Sequence, residues 1–214
     1  RRDGQVVMGR LLDARDRQRI EAAIRAAENR TAGELVTVIA DASDDYLPIP
    51  VLYAAAAALG LPLALWLAGV LDGFLPLYLV QLAAWLVLVP LVCWRPIAMR
   101  LVPDRLKRAA AARLAREQFY ARGLHETPER GGLLLFVSAA ERYVEIIADR
   151  GIDAKVPEDS WKSIVAEFTR QVRSGRIADG FLGAIAACDA LLAKHLPAVA
   201  GDNPNRLPDV LIEI

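Results

Sequence analysis

Between Ile49 and Trp94 the chain carries two apolar runs joined by Leu71-Asp72-Gly73, and Asp72 is the one charged residue in the stretch. The first run, Ile49 to Leu71, and the second, Phe74 to Trp94, hold no charge of their own, and Gln81 is the strongly polar exception in the second. At about 1.5 Å rise per residue, a helix of about 20 apolar residues covers a hydrocarbon core roughly 30 Å thick. Each run is long enough to span, and the connection is too short to hold a domain. The pair therefore reads as a transmembrane helical hairpin over 46–95, with spans 49–71 and 74–94, whose two flanks share one side of the bilayer. A soluble core in a chain of this length has no room for so much apolar surface.

Charge assigns the side. From Arg95 to Arg122 the chain holds Arg95, Arg100, Arg105, Lys107, Arg108, Arg113, Arg116 and Arg122 against Asp104 and Glu117, while the inter-span loop holds only Asp72. The positive-inside rule then puts both flanks and both termini in the cytoplasm, with the hairpin in a bacterial inner (plasma) membrane. Tyr46, Tyr53 and Trp94 fall near the flank-side interface, and Phe74 and Tyr78 near the other, where amphipathic rings prefer headgroup level. Trp66 and Trp85 lie deeper, where packing is their only assignment. Within the first span Ala56, Gly60, Ala64 and Ala68 recur at every fourth position, a ridge of small side chains that lets a second helix approach closely. Pro62 removes a backbone donor within that ridge and is expected to kink the helix.

Outside the hairpin about 165 residues remain, enough for one compact domain with tails over 1–12 and 197–214. Lys and Arg total 26 and Asp and Glu total 26, a balance that argues against a nucleic-acid partner. Cys93 and Cys188 are far apart, with no C-x-x-C, so neither a disulfide framework nor a zinc site is expected. Arg1 to Arg10 hold no apolar core of signal-peptide length.

In chain order, Asp13 or Asp16 can cap a helix running to about Asn29, with Ile20, Ala23, Ile24 and Ala27 on one face. Glu34 to Ala40 is β-branched and apolar, as suits a strand buried on both faces. Beyond the hairpin, Pro103 opens a helix over Asp104 to Ala121 that Gly123 ends. Leu133 to Ser138 and Tyr143 to Ala148 read as an antiparallel pair. A helix between the first strand and Leu133 marks a parallel crossover, so the sheet is mixed. Two helices follow, from Pro157 to about Ser174 and from Asp179 to Leu196; Val210 to Ile214 can add an edge strand or dock as an extended segment.

This order, with Thr31-Ala32-Gly33-Glu34-Leu35-Val36, Gly131-Gly132-Leu133-Leu134-Leu135-Phe136-Val137, Arg142-Tyr143-Val144-Glu145-Ile146 and Asp149-Arg150-Gly151-Ile152, resembles the TPM domain family. The resemblance covers about 13–41 and 103–196 and extends through Ser174-Gly175-Arg176 and Asp179-Gly180-Phe181. It implies a three-layer α/β/α sandwich with a small mixed sheet, interrupted here by the two-helix hairpin. Family members include a thylakoid-lumen protein with acid phosphatase activity, photosystem-maintenance factors and a receptor-associated animal protein. Where the family commonly reads Asp-Asn-Gly before the second strand, this chain has Glu129-Arg130-Gly131; where it reads Gly-Tyr-Gly-Leu-Glu after the third, this chain has Asp149-Arg150-Gly151-Ile152-Asp153.

If the first two strands are parallel and the third antiparallel to the second, one edge of the sheet gathers Thr31, Glu34, Glu129, Arg130, Asp149, Arg150 and Asp153. Glu34, Glu129, Asp149 and Asp153 are candidate oxygen ligands for Mg²⁺ or Ca²⁺, and Asp149, Asp153 and Arg150 are candidates for acid–base and phosphate-holding roles in ester hydrolysis. Asp41, Asp44 and Asp45 form a second acidic group beside the hairpin. His125 and His195 have no ligand spacing, and no G-x-S-x-G, P-loop, H-E-x-x-H or C-x-x-C motif occurs. Two functions are carried forward: an interaction or assembly module for membrane proteins, meeting the bilayer and other spans or its own copies, and a weak metal-dependent acid phosphatase.

Overall fold

Seven residues buried on both sides, Glu34–Ala40, form β1, and seven more, Gly132–Ser138, form β2. Such strands lie inside a sheet covered on both faces, which is why they read as apolar runs without alternation. They belong to a computed structural model that describes residues 12–28, 30–127, 130–197 and 210–214. Most of the two tails and Glu129 lie outside those residues. β1 and β2 pair in parallel from Glu34 opposite Gly132 to Ala40 opposite Ser138. β3 (Tyr143–Ala148) returns antiparallel to β2, and β4 (Leu211–Glu213) adds in parallel to the other side of β1, giving the order β3-β2-β1-β4. The C-terminal residues thus take the edge-strand alternative: Ile214 N–H donates to Ile39 O and Asp41 N–H to Ile214 O, each at 3.0 Å.

Alternation along the strands sends two apolar sets to opposite faces. Leu35, Ile39, Leu133 and Leu135 meet α1 (Ala14–Glu28), α7 (Glu158–Arg173) and α8 (Ile177–His195) through Ile20, Ile24, Phe168, Phe181 and Leu192. Val36, Val38, Leu134 and Phe136 meet α5 (Asp104–Ala121) through Ala111, Ala115 and Phe119. The expected α/β/α layering of a mixed sheet follows. Phe168 and Phe181 lock α7 to α8 edge to face, their ring centres 5.0 Å apart. Cys188 is fully buried in the first of these layers, and burial, helped by the adjacent Asp189 carboxylate, pushes its thiol up to about 12. That sulfur is inert at physiological pH.

Residues 44–108 form a second compact unit, with α2 (Pro48–Leu67), α3 (Phe74–Cys93) and the short α4 (Arg95–Leu101). α2 and α3 pack against each other and are each long and apolar enough to cross a membrane. α2 stops short of the expected Leu71. Gly69, at φ +66°, ends it in a Schellman motif, with Val70 N–H bonded to Leu65 O and Gly69 N–H to Trp66 O, each at 3.0 Å. The helix continues through Pro62, and Trp94 leaves α3 extended before Pro96 opens α4.

The small-residue ridge lies on the exposed face of α2. Ala56, Gly60, Ala64 and Ala68 are exposed, and a Cβ on Gly60 would meet nothing within 4 Å. The buried face of α2 is Pro50, Ala54, Ala58 and Pro62, offset by two positions and hence roughly on the opposite side of a helix with about 100° per residue. Trp66 and Trp85 are also partly exposed, at 52 % and 40 %.

Thr37 sits fully buried in mid-strand between Leu135 and Leu211, and among the described residues its hydroxyl has no hydrogen-bond partner. A buried hydroxyl without a partner costs more than an apolar group of the same shape. Thr37→Val is therefore expected to raise stability by about 1 kcal/mol, read as an upward shift of the denaturation midpoint at unchanged denaturant slope.

Candidate functional site

The register brings one row of residues to the start of the parallel strands. Glu34 stands opposite Gly132, and Asp149 N–H donates to Gly132 O at 2.8 Å just beyond the end of β3. With strands about 4.8 Å apart, the Glu34 and Asp149 α-carbons are separated by about 10 Å, and alternation puts both side chains on the α5 side of the sheet. Gly132 between them is an obligatory gap. A Cβ there would lie 2.1 Å from Leu124 O, because the 3₁₀ turn Leu124–Glu126 presses directly on the strand. Thr127 secures that turn, its hydroxyl donating to Leu124 O at 3.2 Å.

Glu34 is 5 % exposed and Asp149 7 %. Asp149 caps the four-residue α6 (Arg150–Asp153), its Oδ1 accepting from Arg150 N–H at 2.8 Å. Its Oδ2 is buried without a hydrogen bond among the described residues and forms a long ion pair with Arg130 Nη1, at 4.0 Å. The same Arg130 nitrogen donates to His125 O at 2.8 Å. His125 leans edge-on against Tyr120, with ring centres 5.1 Å apart. Arg122, just after α5, is partly buried, which lowers its pKa, and Nη2 donates to Gln118 Oε1 at 2.9 Å.

The rest of the expected constellation divides. Thr31 is fully buried and structural: its hydroxyl donates to Leu196 O at 3.0 Å and accepts from Gly33 N–H at 2.8 Å, tying the end of α8 to the start of β1. Arg150 and Asp153 are exposed on α6, while Ile152 turns into the core. At the opposite end of β1, Asp41 is buried, and Asp44 and Asp45 are exposed, Asp44 Oδ1 accepting from Asp45 N–H at 2.8 Å. Among the described residues no three His, Cys, Asp or Glu side chains form a group able to hold a metal ion. Glu129, one of the four candidate ligands at the first of these ends, lies outside the described residues. The α6 turn and the 3₁₀ turn were both missed by periodicity; their signals are an aspartate followed by a one-turn helix, and a glycine, Gly123, in the left-handed region at φ +69°.

A four-stranded mixed sheet between helical layers, with its polar row at one end of the parallel strands, defines an α/β/α sandwich with a helical insertion after β1. Residues 97–191 match the family model for the TPM domain. The BA42 protein of the psychrophilic bacterium Bizionia argentinensis, known from an NMR structure, has a similar fold, with TM-score 0.59 and 18% sequence identity over 95% of each chain. No curated protein matches the sequence.

The family's Asn in the loop before the second strand gains a physical reason from Arg130, which stands in the same position at φ +54°. Asparagine tolerates the left-handed region; arginine is strained there by roughly 1–2 kcal/mol. The ion pair to Asp149, long at 4.0 Å and exposed on its Arg130 side, returns only about 0–1 kcal/mol. Arg130→Asn is therefore expected to raise the thermal midpoint and Arg130→Ala, which keeps the strain and loses the pair, to lower it. The reverse order in calorimetry of the two variants would refute this account.

Proposed function

We propose that the chain is a membrane-anchored TPM-type module that assembles or maintains other membrane proteins, with the α/β unit on the cytoplasmic side. The observation that carries this reading is the outward apolar surface of α2 and α3. Leu59, Leu63, Trp66, Phe74, Leu86 and Val87 are all exposed, apolar side chains that lipid covers at no cost and water does not. In lipid, helices associate by close packing, and the exposed ridge Ala56, Gly60, Ala64 and Ala68 is the surface of α2 on which a span of a partner, or of a second copy, can close. The basic residues that follow α3 favour the cytoplasmic side for both flanks. The hydrolase reading has less beneath it, since one Asp149 oxygen is held by the α6 cap.

Two substitutions separate the anchor from the partner surface. Ala58→Leu, on the buried face, is expected to destabilise the helical unit by about 1–3 kcal/mol through overpacking. Gly60→Leu enters open space and should leave that stability unchanged while reducing co-purification of membrane partners or of a differently tagged second copy. Equal effects of the two variants on both measurements would remove the ridge from the account. A cysteine placed at Asp72 should react with an impermeant maleimide added outside intact cells, and one placed at Arg108 should not; the opposite pattern overturns the assigned orientation.

A further inference from the structure

At the carboxyl ends of β1 and β2 the α/β unit opens into a cavity of about 500 Å³, within the roughly 300–1,000 Å³ range of small-molecule sites. Ile39, Val137, Val144, Phe168 and Val172 supply apolar walls between the sheet and α7. The polar lining comes from Ser138, Thr169, Tyr143, Arg142 and Arg173, with no carboxylate among the lining residues. Three of these five are already engaged. Thr169 donates to Val165 O at 2.7 Å, the Tyr143 hydroxyl donates to Glu145 Oε2 at 3.0 Å, and Ser138 is bonded to both Ser43 and Glu141. Arg142 and Arg173 are exposed, and neither guanidinium has a hydrogen bond or ion pair among the described residues.

An apolar chamber whose free polar groups are two guanidiniums is matched in shape and charge by one kind of molecule. We propose that this cavity binds a single-chain amphiphile with an anionic head, a carboxylate or a phosphate monoester, its hydrocarbon between the sheet and α7 and its head between Arg142 and Arg173. Guanidinium pairs favour such heads because each offers parallel donors to two oxygens. The site lies wholly within the α/β unit and does not depend on the role proposed for α2 and α3.

The test uses the full chain in phosphatidylcholine nanodiscs and a dodecanoate carrying a diazirine on its chain, with crosslinked peptides mapped by mass spectrometry. Crosslinks are expected within 137–144 and 165–177, and both dodecanoate and dodecyl phosphate should compete them away, the more effective one identifying the head. Dodecyltrimethylammonium and inorganic phosphate should not compete. Arg142→Glu with Arg173→Glu should lower labelling of these segments by roughly tenfold or more, since hydrogen bonds to charged groups exceed neutral ones. The same double variant should gain labelling by a diazirine-bearing cationic amphiphile, an outcome that a misfolded chain cannot give. Crosslinks confined to 48–93, competition by inorganic phosphate alone, or unchanged labelling of the double variant would each overturn the proposal.

Discussion

The parallel pairing of β1 with β2 is the constraint on which the rest of the structure depends. Both strands are buried along their whole length, so neither face can be left to water, and helical layers are required on both. Parallel strands also need a crossover, and here everything from Asp41 to Gly131 lies in that connection, including α2 and α3. Such an excursion is thermodynamically cheap, since each doubling of a flexible connection costs about 0.6 kcal/mol in closure entropy. The register from Glu34 opposite Gly132 onward is set by side chains within the pair, so a long insertion leaves it intact. The matched family span of 97–191 begins just after α3 and does not include β1.

What the sequence made legible follows from which signals are periodic. The buried strands, the mixed sheet and the meeting of Glu34 with Asp149 at one edge were readable because β-branched runs and crossover rules determine them. Cap chemistry was harder. The Gly69 stop in α2, the α6 turn and the left-handed Arg130 each depend on one residue's dihedral angle, to which apolar periodicity is blind. The ridge on α2 shows a different limit. In an alanine-rich helix several rows of small residues recur at every fourth position, and the pattern alone cannot tell the Ala54, Ala58 row that is buried from the Ala56, Gly60 row that is exposed.

The acidic edge was half legible for a related reason. Glu34 and Asp149 share a row because hydrogen-bond register is transitive across three strands, and that follows from strand order alone. Asp153 and Arg150 were grouped with them by nearness in sequence. The α6 turn then directs Ile152 into the core and leaves Arg150 and Asp153 exposed, while Glu34 and Asp149 are buried. Burial without a full set of partners makes Asp149 sensitive to its surroundings, and Arg130 is the cation that meets it.

Net charge conceals the way this chain distributes its ions. A total of 26 positive and 26 negative residues excludes a uniformly basic surface, and each end of the β1–β2 pair carries ions of both signs. Glu34, Asp149 and Arg130 mark the start of the parallel strands, and Asp41, Glu141, Arg142 and Arg173 stand beyond their carboxyl ends. Six steps of strand at about 3.3 Å place roughly 20 Å of close-packed apolar core between them. Side chains at opposite ends are too far apart to bond one another, so each group finds its partners at its own end. Clustering of this kind follows in a sheet buried on both faces, because ionisable side chains excluded from the strand interiors collect at their ends.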